Sequence, residues 1–172
     1  MHYRLLARLD SAVSPVRPAL LPYCRLRLGE VWCDPEGRHT VACGDAADRA
    51  FVRRLFGARR ATLAVQDPPY NLVMGQKLPP EAYANWCRAW VDNTDAILAD
   101  AAALYIWLGA DQDRHFQPLP QVMAMMAATG FASRSLITMR NQRGYGTQRN
   151  WMAVRQELLY YVKGEPPFSV QY

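Results

Sequence analysis

The chain has 172 residues, 51% hydrophobic and 20% charged, a balance that belongs to a folded domain with its own core. This length supports one ordinary domain rather than two, and 11% aromatic residues exclude a disordered chain. The net charge of +5 is a mild basic excess, and no apolar run approaches the ~20 residues that a membrane-crossing helix needs. Arg8 and Asp10 interrupt the first apolar stretch, so no secretory leader is expected. Cys24, Cys33, Cys43 and Cys87 lack C-x-x-C spacing, and His2, His39 and His115 are scattered. No metal site is expected, and the cysteines read as buried thiols of a cytoplasmic protein.

Residues 1–30 carry Pro15, Pro18 and Pro22, which exclude a long helix and point to an irregular extension preceding a domain over 31–172. His39 to Cys43 is a short apolar run closed by Gly44-Asp45 and reads as a buried strand. Asp45 to Leu55 reads as a helix with Asp45 as its N-cap and Gly57 beyond its end. Thr62 to Val65 reads as a second buried strand, stopped by Asp67-Pro68-Pro69-Tyr70, since two prolines in series cannot continue a ladder. Glu81 to Ala99 is the clearest helix. Its Tyr83, Trp86, Trp90, Val91, Ile97 and Leu98 recur at helical spacing as a core stripe.

Ala103 to Leu108 reads as a third buried strand ended by Gly109, and Pro120 to Thr129 as a helix ended by Gly130. Arg134 to Met139 and Glu157 to Lys163 alternate as strands, joined by a glycine-containing loop over Asn141 to Asn150. Strand and helix thus alternate three times before a final strand pair, which predicts an α/β domain with a parallel sheet. In such sheets ligands sit beyond the carboxyl ends of the strands, which is where Asp67 falls.

The charge is unevenly placed. From Arg134 to Gly164 six cations face one acid, Glu157, so this segment holds the whole net charge of +5. Tyr145, Trp151, Tyr160 and Tyr161 lie among them. Arginines interleaved with aromatics suit a phosphate backbone with stacked bases, and a solvated face with core aromatics is the plainer alternative.

Asp67-Pro68-Pro69-Tyr70 resembles the D/N/S-P-P-Y/F/W tetrapeptide of the AdoMet-dependent DNA amino methyltransferases, which modify adenine N6 or cytosine N4. An exocyclic amino nitrogen is a weak nucleophile because its lone pair is delocalised into the ring. Acceptors for both amino hydrogens turn it towards tetrahedral geometry. A carboxylate such as Asp67 can take one hydrogen and the Pro68 carbonyl the other. The prolines fix these acceptors at small conformational cost, and Tyr70 offers a flat face to a base lifted from its stack.

The resemblance extends over about 31–168. It takes in Gly37-Arg38-His39 through Gly44-Asp45-Ala46, then Leu104 to Trp107, and the late hairpin strand Gln156 to Gly164. It implies the permuted class in which the catalytic half precedes the cofactor half. The fold it implies is a partial Rossmann-like sheet with helices on both faces and a C-terminal β-hairpin. Asp67, Pro68, Pro69 and Tyr70 would be catalytic, Asp45 and Asp67 would meet the AdoMet cofactor, and Arg140, Arg143 and Arg149 would meet DNA. For Asp45 a helix cap explains the residue equally well. Many members carry Trp-x-Lys before the basic loop, where this chain has Thr138-Met139-Arg140.

The family's cofactor turn has an F/D-x-G-x-G form. The single G-x-G here, Gly144-Tyr145-Gly146, lies in the basic loop with no apolar strand directly before it. The expectation is therefore the catalytic half of a larger enzyme, completed by a C-terminal half or by self-association, and inactive alone without that turn. The expected activity is transfer of a methyl group to adenine N6 in DNA within a restriction-modification system. Cytosine N4 is the alternative in the same class. A non-catalytic nucleic-acid-binding remnant and an RNA or protein amino methyltransferase are the alternatives outside it.

Overall fold

The computed structural model describes residues 26–71, 77–108, 118–147 and 150–170, with the side chains of 141–154 outside the description. The expectations for residues 1–25, for Gly109 and for Arg149 lie outside the described residues. The chain divides into two compact units at Asp45/Ala46, later than the 30/31 boundary read from composition.

The first unit carries one antiparallel hairpin, β1 (Val31–Cys33) with β2 (Thr40–Ala42). Its turn is built by Asp34. The Asp34 backbone N–H donates to the His39 carbonyl at 3.0 Å, and the Asp34 carboxylate accepts the His39 N–H at 2.6 Å. The His39 N–H, against an opposing desolvation and with a smaller contribution from the Arg38 guanidinium, holds this carboxyl below its ordinary range. Gly37 takes a left-handed φ of 68°, open to glycine without strain. The expected buried strand at His39–Cys43 is thus a three-residue hairpin arm outside the main sheet, with Val41 half exposed. Arms this short have too little surface to bury one another.

The second unit opens with α1 (Arg49–Phe56). Its cap is Asp48 rather than Asp45. The Asp48 carboxylate accepts the N–H groups of Ala50 at 2.8 Å and Phe51 at 3.1 Å, a reach open only to the residue next to the helix. Gly57 closes the helix with φ 57° and donates to the Arg53 carbonyl. Next come β3 (Ala61–Gln66), α2 (Pro80–Ile97), β4 (Leu98–Leu108), α3 (Leu119–Ala127), β5 (Ala132–Thr147) and β6 (Asn150–Lys163).

The sheet order is β3-β4-β6-β5. Only β3 and β4 are parallel, so the sheet is mixed where alternation predicted a parallel one. β5 and β6 follow one another as a hairpin, which reverses direction by construction. Their ladder runs on through most of the expected loop at Asn141–Asn150, as far as Thr147 opposite Asn150.

One sheet face carries Leu104, Ile106, Leu108, Leu159 and Tyr161, all buried against α2 and α3. From α2 come Tyr83, Trp90 and Val91 of the predicted stripe together with Cys87, and from α3 come Val122 and Met126. The other face carries Leu63 and Val65, 55% and 60% exposed, beside half-buried Tyr105, Trp107, Leu158 and Tyr160. β3 is therefore an edge strand with one bare face, not the fully buried strand its composition predicted. Helices were expected on both faces; those of the described residues furnish the layer on one.

Candidate active site

The parallel pair fixes where the loop emerges. Gln66, the last residue of β3, stands opposite Ile106 of β4, and Asp67-Pro68-Pro69-Tyr70 leaves the sheet there, at the carboxyl end of both strands. The loop is braced from beneath. The Tyr83 hydroxyl, on a fully buried side chain of α2, donates to the Pro69 carbonyl at 3.2 Å. Asn71 is 2% exposed and clamps the far side of the turn. It donates to the Leu78 carbonyl at 2.7 Å and accepts the Leu78 N–H at 2.9 Å. Before the loop, the Gln66 side chain donates to the Thr94 hydroxyl at 3.0 Å, and that hydroxyl donates to the Trp90 carbonyl at 2.8 Å.

The braced parts and the open parts are different atoms. Asp67 and Pro69 are exposed, and Pro68 and Tyr70 are half-buried. The Pro69 carbonyl is occupied by Tyr83, whereas among the described residues no backbone donor meets the Pro68 carbonyl. The Asp67 carboxylate lies beside Tyr70. Burial first, then that neighbouring charge and hydrogen bond, push the Tyr70 phenol above its ordinary range, so it is neutral at physiological pH. Burial drives the Tyr83 phenol well upward, with smaller contributions from Cys87 and Tyr70, which keeps it a hydrogen-bond donor. The Cys87 thiol is pushed up to about 12 by burial and is not a nucleophile at neutral pH.

Of the residues expected at the site, Asp67, Pro68, Pro69 and Tyr70 form one loop. Asp45 is the last residue of the first unit. Arg140 lies exposed on β5. Arg143 lies in β5 with its side chain outside the description. Tyr83 and Asn71 were not expected as site residues. Tyr83 is legible as core from its spacing, but nothing in the pattern says where its hydroxyl points. Asn71 directly follows the tetrapeptide, and a polar side chain next to a rigid turn is the one signal available.

Taken together, the described residues form one side of an α/β domain, with a rigid acceptor-bearing loop at the carboxyl end of its parallel strands. The model of the N6/N4 DNA methylase family matches residues 61–172, and the chain belongs to that family. Among solved structures it is similar to M1.HpyAVI, at 12% identity and a TM-score of 0.52, covering 74% of this chain and 62% of that one. A second structure of M1.HpyAVI, in complex with SAM, matches at 11% identity with a TM-score of 0.52, covering 74% and 58%. TTHA0409 of Thermus thermophilus matches at 19% identity with a TM-score of 0.52, covering 75% and 53%. The cytosine-N4-specific PvuII DNA methyltransferase matches at 14% identity with a TM-score of 0.57, covering 73% and 49%. At these identities the likeness is one of fold. The chain spans about half to three fifths of the length of these structures. No curated protein matches it.

Proposed function

We propose that this chain is the catalytic half of a DNA amino methyltransferase that uses AdoMet and acts on adenine N6. The observation that carries this reading is the loop itself. An exposed carboxylate and a neighbouring carbonyl that no described backbone donor meets stand on a two-proline turn, locked by Tyr83 and Asn71, in a chain of the DNA methylase family.

The residues fit the acceptor side of the reaction. Asp67 accepts one amino hydrogen of the target base and the Pro68 carbonyl accepts the other, so the nitrogen lone pair is freed from the ring. Tyr83 holds the neighbouring Pro69 carbonyl, which keeps Pro68 from swinging away as the base enters. Tyr70, neutral and half-buried, stacks on the extruded base beside the Asp67 carboxylate. AdoMet supplies the electrophilic methyl group on its sulfonium. The cofactor's glycine turn is not supplied by Gly144-Tyr145-Gly146, which runs inside β5 rather than between a strand and a helix. That fit supports a division of labour in which this chain's loop handles the base and a cofactor half completes the pocket.

The test is transfer of labelled methyl from AdoMet to duplex DNA with the cofactor half in place, followed by nucleoside mass spectrometry. N6-methyladenine that disappears in Asp67→Ala is the expected product. N4-methylcytosine instead keeps the mechanism and moves the target to cytosine, the specificity printed for the PvuII enzyme. Labelled RNA or peptide with unlabelled DNA overturns the DNA reading. A cytoplasmic location accords with such a substrate, and among the described residues no helix is long and apolar enough to cross a membrane.

A further inference from the structure

The β5–β6 hairpin does not end with the sheet. β6 pairs with β4 only as far as Glu157, opposite Leu108. Before that residue β6 pairs, among the described residues, with β5 alone, so a two-stranded ribbon projects past the last described residue of β4. That is the end from which the Asp67 loop emerges. At the root of the ribbon, Thr138 stands opposite Glu157, and one step outward on the same face Arg140 stands directly opposite Arg155.

Two like charges directly opposed across a ladder repel each other, and the chain places them there nonetheless. Glu157 answers only part of the repulsion. Its carboxylate is 6% exposed and fully engaged. Oε1 forms an ion pair with Arg155 Nε at 3.0 Å, and Oε2 accepts from the Thr138 hydroxyl at 2.8 Å. Held by Nε, Arg155 still has both terminal amino groups to offer, and its side chain is 57% exposed. Arg140 is exposed beside it. The cluster of Arg140, Arg155 and Glu157 keeps a net positive charge. Arg155 is thus anchored by Glu157 opposite an exposed Arg140, and two such guanidiniums suit an anion.

We infer that Arg155, positioned by Glu157 and Thr138, joins Arg140 to bind one phosphodiester of DNA flanking the base presented to the Asp67 loop. The inference rests on the proposed DNA substrate and adds Arg155, with its anchoring carboxylate, to the surface that meets it. Position agrees with this role. Arg155 lies four residues before Leu159, the residue level with the end of β3, so it stands roughly 10 Å beyond the loop along the strands and about 10 Å to its side. A phosphate one or two nucleotides from the target base spans that interval.

The experiment is fluorescence anisotropy of a labelled duplex against potassium chloride concentration, with Arg155→Gln, Arg140→Gln and the double variant. Arg88→Gln, an exposed arginine of α2 paired with Asp92, is the charge-matched control. Circular dichroism confirms that each variant is folded. Each single variant should weaken binding about tenfold and lower the salt slope by about one, the signature of one lost phosphate contact. The double variant should do little more, because both arginines serve the same phosphate. Arg88→Gln should leave the slope unchanged.

A double variant that loses about two contacts would show two independent phosphates and overturn the shared site. Unchanged slopes in both single variants overturn the inference while leaving the methyl-transfer reading intact, since that reading is tested by the labelled product. Wild-type chain that binds no duplex overturns the inference and the ribbon's role together. In a further arm, inorganic phosphate is titrated at matched ionic strength. Displacement of DNA from the wild type that is lost in the double variant supports the shared phosphate site, whereas equal displacement from both overturns it.

Discussion

The two faces of the four-stranded sheet are opposites built from the same alternation. Along β4, Leu104, Ile106 and Leu108 are at most 1% exposed under α2 and α3, while Tyr105 and Trp107 between them are only half-buried. The contrast sharpens on β3, where Ala64 faces the packed side and Leu63 and Val65 face the bare one. Aromatics partly cover the bare side for themselves. Tyr105 and Tyr160 stack at 4.5 Å, and Phe168 lies over Tyr160 at 6.2 Å. The lesson is that stability and the geometry of the Asp67 loop are drawn from one face. Tyr83 and Asn71, which brace the loop, belong to the packed side, so the acceptor atoms are fixed without help from the other.

The largest expected effect separates chemistry from folding. Asp67→Ala should lower methyl transfer by about 10²–10³-fold, as loss of an atom that stabilises the transition state does. Because Asp67 is exposed, its denaturation midpoint should stay within about 0.5 kcal/mol of wild type. A rate that survives the change breaks the assignment of the loop.

Next comes a direct test of the two faces. Ile106→Ala empties a fully buried site and should cost about 2–5 kcal/mol in urea unfolding. Val65→Ala, on the bare face, should cost under about 1 kcal/mol. Equal losses would show that the bare face is covered in solution.

Tyr83→Phe sharpens the comparison from the loop's side. It removes the hydroxyl that holds the Pro69 carbonyl and should cost about 1 kcal/mol. It should also reduce the methyl-transfer rate more than DNA affinity. The same variant tests the alkaline limb. Burial raises the folded pKa of Tyr83 above its unfolded value, so the fold favours the protonated phenol. That contribution is complete below the unfolded pKa and is lost as pH rises through the folded one. Cys87, pushed up to about 12, acts in the same direction. Stability should therefore fall in the alkaline range, and Tyr83→Phe should flatten that fall when unfolding is followed against pH.

The smallest effect is one of reactivity. Cys33 is exposed and Cys87 buried, so a thiol reagent at neutral pH should label Cys33 in the native chain and reach Cys87 only on unfolding.

How much was legible varies with the type of signal. The helix of α2 could be read almost to its ends, because a stripe of large apolar residues at helical spacing admits few alternatives. The Asp67 loop was legible for a local reason, since two prolines after an apolar run stop a strand wherever it lies. The cap of α1 was misplaced by three residues, because Asp45 and Asp48 are chemically identical and only the geometry of the first turn distinguishes them. β3 was read as buried on both faces, since four small and apolar residues look the same whether one face or two are covered.

The sequence by itself determined the elements that depend on near neighbours. These are the α2 stripe, the proline turn that ends β3, and the basic, aromatic stretch from Arg134 to Gly164. Only tertiary structure decided which atoms of those elements work together. The Tyr83 hydroxyl meets the Pro69 carbonyl across 14 positions of chain, and Arg140 meets Arg155 through the register of a hairpin. Such pairings are set by long-range packing and strand alignment, where a slip of one residue turns every side chain to the opposite face.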